Sequence, residues 1–152
     1  MGIGELNHLE SHDKQLAYDE TMAKTPLLTP LQREHWQRRW ASEAGQLQQR
    51  RRQLLEVAAT VASELRAQWP EVSLWLFGSS LGPGFHADSD LDLAVAQLPA
   101  GDLIEALDLA QRCAGRELDR HKASPVALDL VRLEALPLCW QERIQRDGQP
   151  LR

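Results

Sequence analysis

The stretch from Leu74 to Val95 constrains the fold more than any other part of this chain. An apolar run, Leu74-Trp75-Leu76-Phe77, stops at Gly78-Ser79; a loop with Gly82 and Gly84 follows; then Asp90 and Asp92 alternate with Leu91, Leu93 and Val95. Side chains at i and i+2 of a strand share a face, so a strand over 90–96 sends both carboxylates one way and the leucines and valine into a core. Two adjacent like charges repel unless a cation neutralises them. Oxygen ligands of this kind suit a hard ion such as Mg2+, which takes one or two carboxylates and completes its shell with water and phosphate oxygens. Gly78 permits a sharp turn and a close backbone approach, leaving the Ser79 hydroxyl and nearby N–H groups to donate to phosphate. Together the loop and the carboxylates predict nucleotide chemistry.

The flanking segments place this stretch in an α+β arrangement. Thr29 is a good N-cap and Pro30 suits the first helical position; no proline follows until Pro70. Trp36, Trp40, Ala44, Leu47, Leu54, Ala58, Val61 and Leu65 recur mostly at spacings of three and four, with Arg51 interrupting the seam. This predicts one long helix, or two broken near Gly45. Val72 to Phe77 reads as the first strand and Asp90 to Ala96 as the second. Asp102 is placed to cap a helix ending near Leu118, and Arg116 to Ser124 reads as a polar connection. After Pro137, a last helix spans Leu138 to Arg146 and ends in a turn containing Gly148.

A third carboxylate stands out between these elements. The run Val126-Ala127-Leu128-Asp129-Leu130-Val131 is apolar apart from Asp129. A charge in such a strand is costly unless it is paired or binds metal, so Asp129 is the natural third ligand beside Asp90 and Asp92.

These residues carry a family resemblance. Gly78-Ser79, ten residues, then Asp90-Leu91-Asp92, with Asp88-Ser89 just before the pair, resembles the signature of the DNA polymerase β-like nucleotidyltransferases. In its length the chain is similar to their minimal nucleotidyltransferase (MNT) branch. The resemblance covers roughly residues 54–152, and the tail from Arg143 to Leu151 is similar to the closing helix and glycine turn of MNT domains. It implies a small mixed β-sheet with helices packed on one face over residues 46–152; it says nothing of residues 1–45, which the local pattern alone reads as an N-terminal helical extension. It also implies transfer of a nucleoside monophosphate to a hydroxyl with release of pyrophosphate. Asp90, Asp92 and Asp129 would be the catalytic residues and hold two Mg2+ ions, while Gly78, Ser79 and Ser89 would hold the ATP triphosphate. Family members often carry an arginine four residues after the first glycine, where this chain has Gly82 followed by Pro83. Arg120, Lys122 and Arg143 are candidates to supply that charge, although each reads first as a surface cation. His86, with no identifiable partner, reads as an incidental loop residue.

Small stand-alone MNT proteins resemble the antitoxin half of HEPN/MNT toxin–antitoxin pairs, which implies AMP transfer from ATP to a HEPN-type partner protein. The alternatives are a degenerate module of the same fold that binds a HEPN-like or identical subunit through its N-terminal helices, and nucleotidyl transfer to a small molecule.

Composition narrows the remaining choices. The formal net charge of −5 weighs against broad nucleic-acid binding, which rests on neutralising phosphates. Trp36 and Trp40 beside Arg38, Arg39 and Arg50 to Arg52 are a combination that can bind backbone and bases, but they read first as a solvated helix face. No run approaches bilayer length and the N-terminus lacks a basic region followed by an apolar one, so a cytoplasmic location and no membrane partner are expected. Cys113 and Cys139 are too few for a disulfide framework or zinc site and read as core residues. His8 and His12 are four apart but read as a solvated helix face, within an arm that packs on the domain or on a second subunit.

Overall fold

The structure, a computed structural model, describes residues 28–152. His8, His12 and most of the expected arm lie outside the described residues. The chain divides into two compact units, Met1–Ser42 and Glu43–Arg152. Helix α1, Pro30–Gln68, begins in the first and continues into the second, without a break at Gly45.

Within the first unit the start of α1 is locally encoded. The Gln32 N–H donates to Thr29 Oγ1 at 3.2 Å, and the Thr29 N–H donates to Gln32 Oε1 at 2.9 Å. This reciprocal capping box satisfies two N–H groups that the helix itself leaves unbonded. The Trp36 and Trp40 rings lie 6.0 Å apart, Arg39 sits 5.4 Å over Trp36, and Arg38 pairs with Glu34.

The second unit is an α+β domain with a four-stranded mixed sheet. Strands β1 (Ser73–Phe77), β2 (Leu91–Ala96), β3 (Leu128–Arg132) and β4 (Gln149–Leu151) are ordered β3-β2-β1-β4. Strand β1 pairs antiparallel with β2 and β4, and β2 pairs parallel with β3. The parallel pair needs a crossover, supplied by α2 (Leu103–Arg120). On one face, Leu54, Val57, Val61 and Leu65 of α1 and Ala106, Ala110 and Cys113 of α2 pack against Leu74, Leu76, Leu91, Leu93 and Val95. Each fully buried leucine contributes about 1.5–3 kcal/mol, so this core can hold strained or charged groups on the opposite face.

The expectation of helices on one face describes α1 and α2. Helix α3 (Leu138–Asp147) takes the other, where Ile144 and Leu133 pack with Ala94, Trp75 and Phe77. This second cluster is small, which leaves the neighbouring end of that face open.

Several local expectations are corrected. Arg116–Arg120 are helical, because Leu118 and Glu117 bury against the core side of α2. Asp102 stands at the N-cap of α2 but its carboxylate makes no cap bond; it accepts from Trp69 Nε1 at 2.9 Å instead. The second strand begins at Leu91, not Asp90, and the third at Leu128. Cys113 is buried as expected, whereas Cys139 is exposed on the outer side of α3. Strand β4 has no counterpart among the expected elements. It is tied to α1 by Arg66, whose guanidinium donates to the Leu151 carbonyl at 2.6 Å.

Candidate functional site

The site is built where three elements end on one face of the sheet. Phe77, the last residue of β1, is the register partner of Asp92 in β2, and Asp92 is the register partner of Asp129 in β3. Directly paired residues project to the same side, so Asp92 and Asp129 stand side by side on the face opposite α1 and α2. Leu91, Leu93, Leu128 and Leu130 are buried on the other side, which makes this orientation unavoidable once the register is set. Asp90 lies just before β2 and is exposed.

Gly78 closes this corner from the β1 side. Its φ of +81° lies in the left-handed region that glycine occupies without strain. A Cβ there would overlap Asp92 Oδ2, so the bare glycine is the space that the carboxylate occupies. From Gly78 the chain makes a 3-10 turn through Leu81. Ser80, buried in this turn, donates its hydroxyl to the Asp90 carbonyl at 2.9 Å and ties the loop to the start of β2. The Leu91 N–H donates to the Ala127 carbonyl at 2.9 Å and joins β2 to the approach of β3.

The electrostatics match the geometry. Burial raises the Asp92 pKa above the ordinary aspartate value, and the charges of Asp129 and then Asp90 raise it further. Asp92 therefore carries its charge at a cost that a cation would relieve. Among the described residues, no three His, Cys, Asp or Glu side chains are drawn into a preformed metal cage. The donor set is all oxygen and open, and Mg2+ binds through one or two carboxylates with water and substrate oxygens completing its shell. The residues present fit that ion.

Ser79 is half-buried in the turn, its carbonyl accepting from the Gly82 N–H at 3.2 Å. Ser89 is 3% exposed and holds a tight turn: its hydroxyl accepts from the His86 N–H at 2.9 Å, and its own N–H donates to the His86 carbonyl at 3.0 Å. These bonds make Ser89 part of the frame of the loop. The His86 side chain is exposed. Arg120 pairs with Glu117 at 2.8 Å, away from the loop, and Lys122 is exposed in a turn.

The residues missed by sequence reasoning are Arg50 and Arg51. Their place in an arginine run suggests a solvated face, but both are half-buried. Arg51 donates to the Gly82 carbonyl at 2.6 Å and lies 4.8 Å over the Phe85 ring. Arg50 donates to the Ser124 and Pro125 carbonyls at 2.7 and 2.8 Å, just ahead of β3. Burial lowers the Arg50 pKa, and the nearby Asp88 charge opposes that shift. Consecutive helix residues thus brace both loops that lead into the acidic strands. The break that Arg51 makes in the apolar seam is the only signal of this in the sequence. Arg51 also brings a cation to Gly82.

A cleft of about 510 Å³ opens beside the turn, between Gly78, Gly82 and the Trp140 and Arg143 side chains of α3. Among the described residues, no helix is long and apolar enough to cross a membrane. No known protein family matches the chain, and no curated protein matches it.

Proposed function

We propose that this protein is a Mg2+-dependent nucleotidyltransferase that moves AMP from ATP to a hydroxyl of a partner protein, in the manner of the HEPN/MNT pairs that its signature resembles. The observation that carries this reading is the corner where Gly78, in a left-handed conformation, packs on Asp92 while Asp92 stands in register with Asp129. A glycine turn against paired carboxylates brings a phosphate-sized approach and a cation-demanding charge to the same place.

In this reading Asp90, Asp92 and Asp129 hold Mg2+, which when bound neutralises phosphate charge and lowers the cost of deprotonating the acceptor. The Gly78–Leu81 turn aligns the triphosphate, and Arg51 and Ser80 keep the turn in place. The acceptor oxygen bonds to the α-phosphorus as the bond to the β-phosphate oxygen breaks. Pyrophosphate leaves, and the hydroxyl proton is released beside Asp129. The chain's own contribution is mainly positioning and electrostatics.

The test is incubation with α-labelled ATP and Mg2+, with and without the product of the neighbouring gene. Transfer of label to that product, abolished by Asp90→Asn and Asp92→Asn, is the expected result. A stable complex without transfer, indifferent to both substitutions, would overturn the enzyme in favour of an interaction module.

A further inference from the structure

We infer that the cleft between the Gly78–Leu81 turn and α3 is the base-binding half of the nucleotide site, a stacking platform that accepts nucleobases with little discrimination among them. This rests on the nucleotidyl-transfer reading and specifies its substrate.

Three observations lead there. First, the cleft borders the acidic corner. Gly78 lines it and also packs on Asp92, and Phe77, the register partner of Asp92, forms part of its wall. Partnered residues share a face, so the cleft and the carboxylates open on the same side of the sheet. A phosphate chain lying over Gly78 therefore has a cavity at hand for the nucleoside end. The volume of about 510 Å³ falls in the range of small-molecule clefts, about 300–1,000 Å³.

Second, the far wall carries a flat aromatic surface that the fold does not use. Trp140 is 48% exposed and lies outside the small cluster that anchors α3 through Ile144. The Arg143 guanidinium lies 5.5 Å from its ring centroid, one helical turn along. An exposed tryptophan paired with an arginine is a platform for a nucleobase, and the arginine charge suits the adjoining phosphates.

Third, the polar groups that Asp147 and Gly148 bring to the cleft wall are already bonded within the chain. Both Asp147 carboxylate oxygens accept from Arg146, at 2.8 and 3.0 Å, and the Gly148 N–H donates to the Ile144 carbonyl at 2.8 Å. Stacking on a π-face, which every base possesses, then dominates over edge recognition.

The experiment is calorimetric titration of the full chain in Mg2+ with ATP, GTP, CTP, UTP and inorganic tripolyphosphate, repeated for Trp140→Ala and Trp140→Phe. The four nucleotides are expected to bind within about fivefold of one another and more tightly than tripolyphosphate. Trp140→Ala should weaken ATP about 10- to 100-fold while leaving tripolyphosphate unchanged, and Trp140→Phe should retain most of the affinity. Circular dichroism checks that each variant is folded. Unchanged ATP affinity in Trp140→Ala, or an equal loss in both variants, overturns the stacking site while the enzyme reading stands. A preference for one base above about 100-fold overturns its permissiveness. If neither ATP nor tripolyphosphate binds the unmodified chain, the enzyme reading fails and the base site with it.

Discussion

Gly78 and Asp92 occupy one space: the carboxylate oxygen Oδ2 lies where a side chain on residue 78 would begin. The left-handed backbone of Gly78 and the half-buried charge of Asp92 are thus two sides of one contact, and each makes a testable demand.

Gly78→Ala meets both demands at once. The left-handed conformation costs a non-glycine residue about 1–2 kcal/mol, and the new methyl group must also displace Asp92. The expected outcome in urea denaturation is a loss of at least about 1–2 kcal/mol, together with loss of any Mg2+-dependent nucleotide binding. A fully stable variant with unchanged binding would show that the corner is not the site.

Asp92 makes stability depend on pH with a definite sign. Because its folded pKa is raised, the folded chain holds this proton more tightly than the unfolded chain. Stability therefore falls as pH rises from the ordinary aspartate range through the raised value, and the full cost persists at neutral pH. In chelator-treated, metal-free buffer, Asp92→Asn should raise the unfolding midpoint at pH 7 by a few degrees. The gain should shrink as the pH is lowered and vanish below about pH 4, where aspartate is protonated in both states. Thermal melts of both proteins across this range provide the check.

Arg51 braces the loop by a charge-assisted bond to Gly82 and by its position over Phe85, while its buried Nε finds no partner among the described residues. Arg51→Met keeps most of the packing and removes the bond. A loss of about 1.5–3 kcal/mol is expected, as for a hydrogen bond to a charged group, with faster amide exchange in the 82–86 loop. Equivalent truncation of exposed Arg52 should cost less than about 0.5 kcal/mol.

Two glycines should respond to alanine in opposite directions. At Gly148 a Cβ would overlap the Ile144 carbonyl oxygen and lie 3.1 Å from that of Leu76, both backbone atoms that cannot rotate away. Gly148→Ala should cost about 1–3 kcal/mol and loosen β4. At Gly115, inside α2, a Cβ meets nothing within 4 Å, so Gly115→Ala should stabilise by up to about 1 kcal/mol. Denaturant midpoints of the two variants decide.

Much of this architecture is legible in the order of residues alone. The Thr29-Pro30 start, the apolar seam from Leu54 to Leu65 and the alternation from Leu91 to Val95 are short-range patterns, and each forms the element it predicts. Strand β4 is not legible in this way, because Gln149–Leu151 is three residues long with a central proline, and its pairing with Leu74 to Leu76 is what makes it a strand. The expected capping carboxylate of Asp102 is claimed by Trp69, a partner 33 positions away that no local rule anticipates. Arg50 and Arg51 look like surface for the same reason: their acceptors are backbone carbonyls of distant loops, and any sequence supplies those.

By itself the sequence determined which residues turn, which alternate and which carry charge without local compensation, because backbone sterics and side-chain periodicity act over a few residues. It thereby singled out Gly78, Asp90, Asp92 and Asp129 as the chemically expensive positions. The tertiary structure alone decided that Asp129 stands in register with Asp92, that Arg51 reaches Gly82, and that Trp140 lines the cleft beside Gly78. Those relationships follow from strand order and from the face each helix buries, and both are settled by the packing of the whole domain.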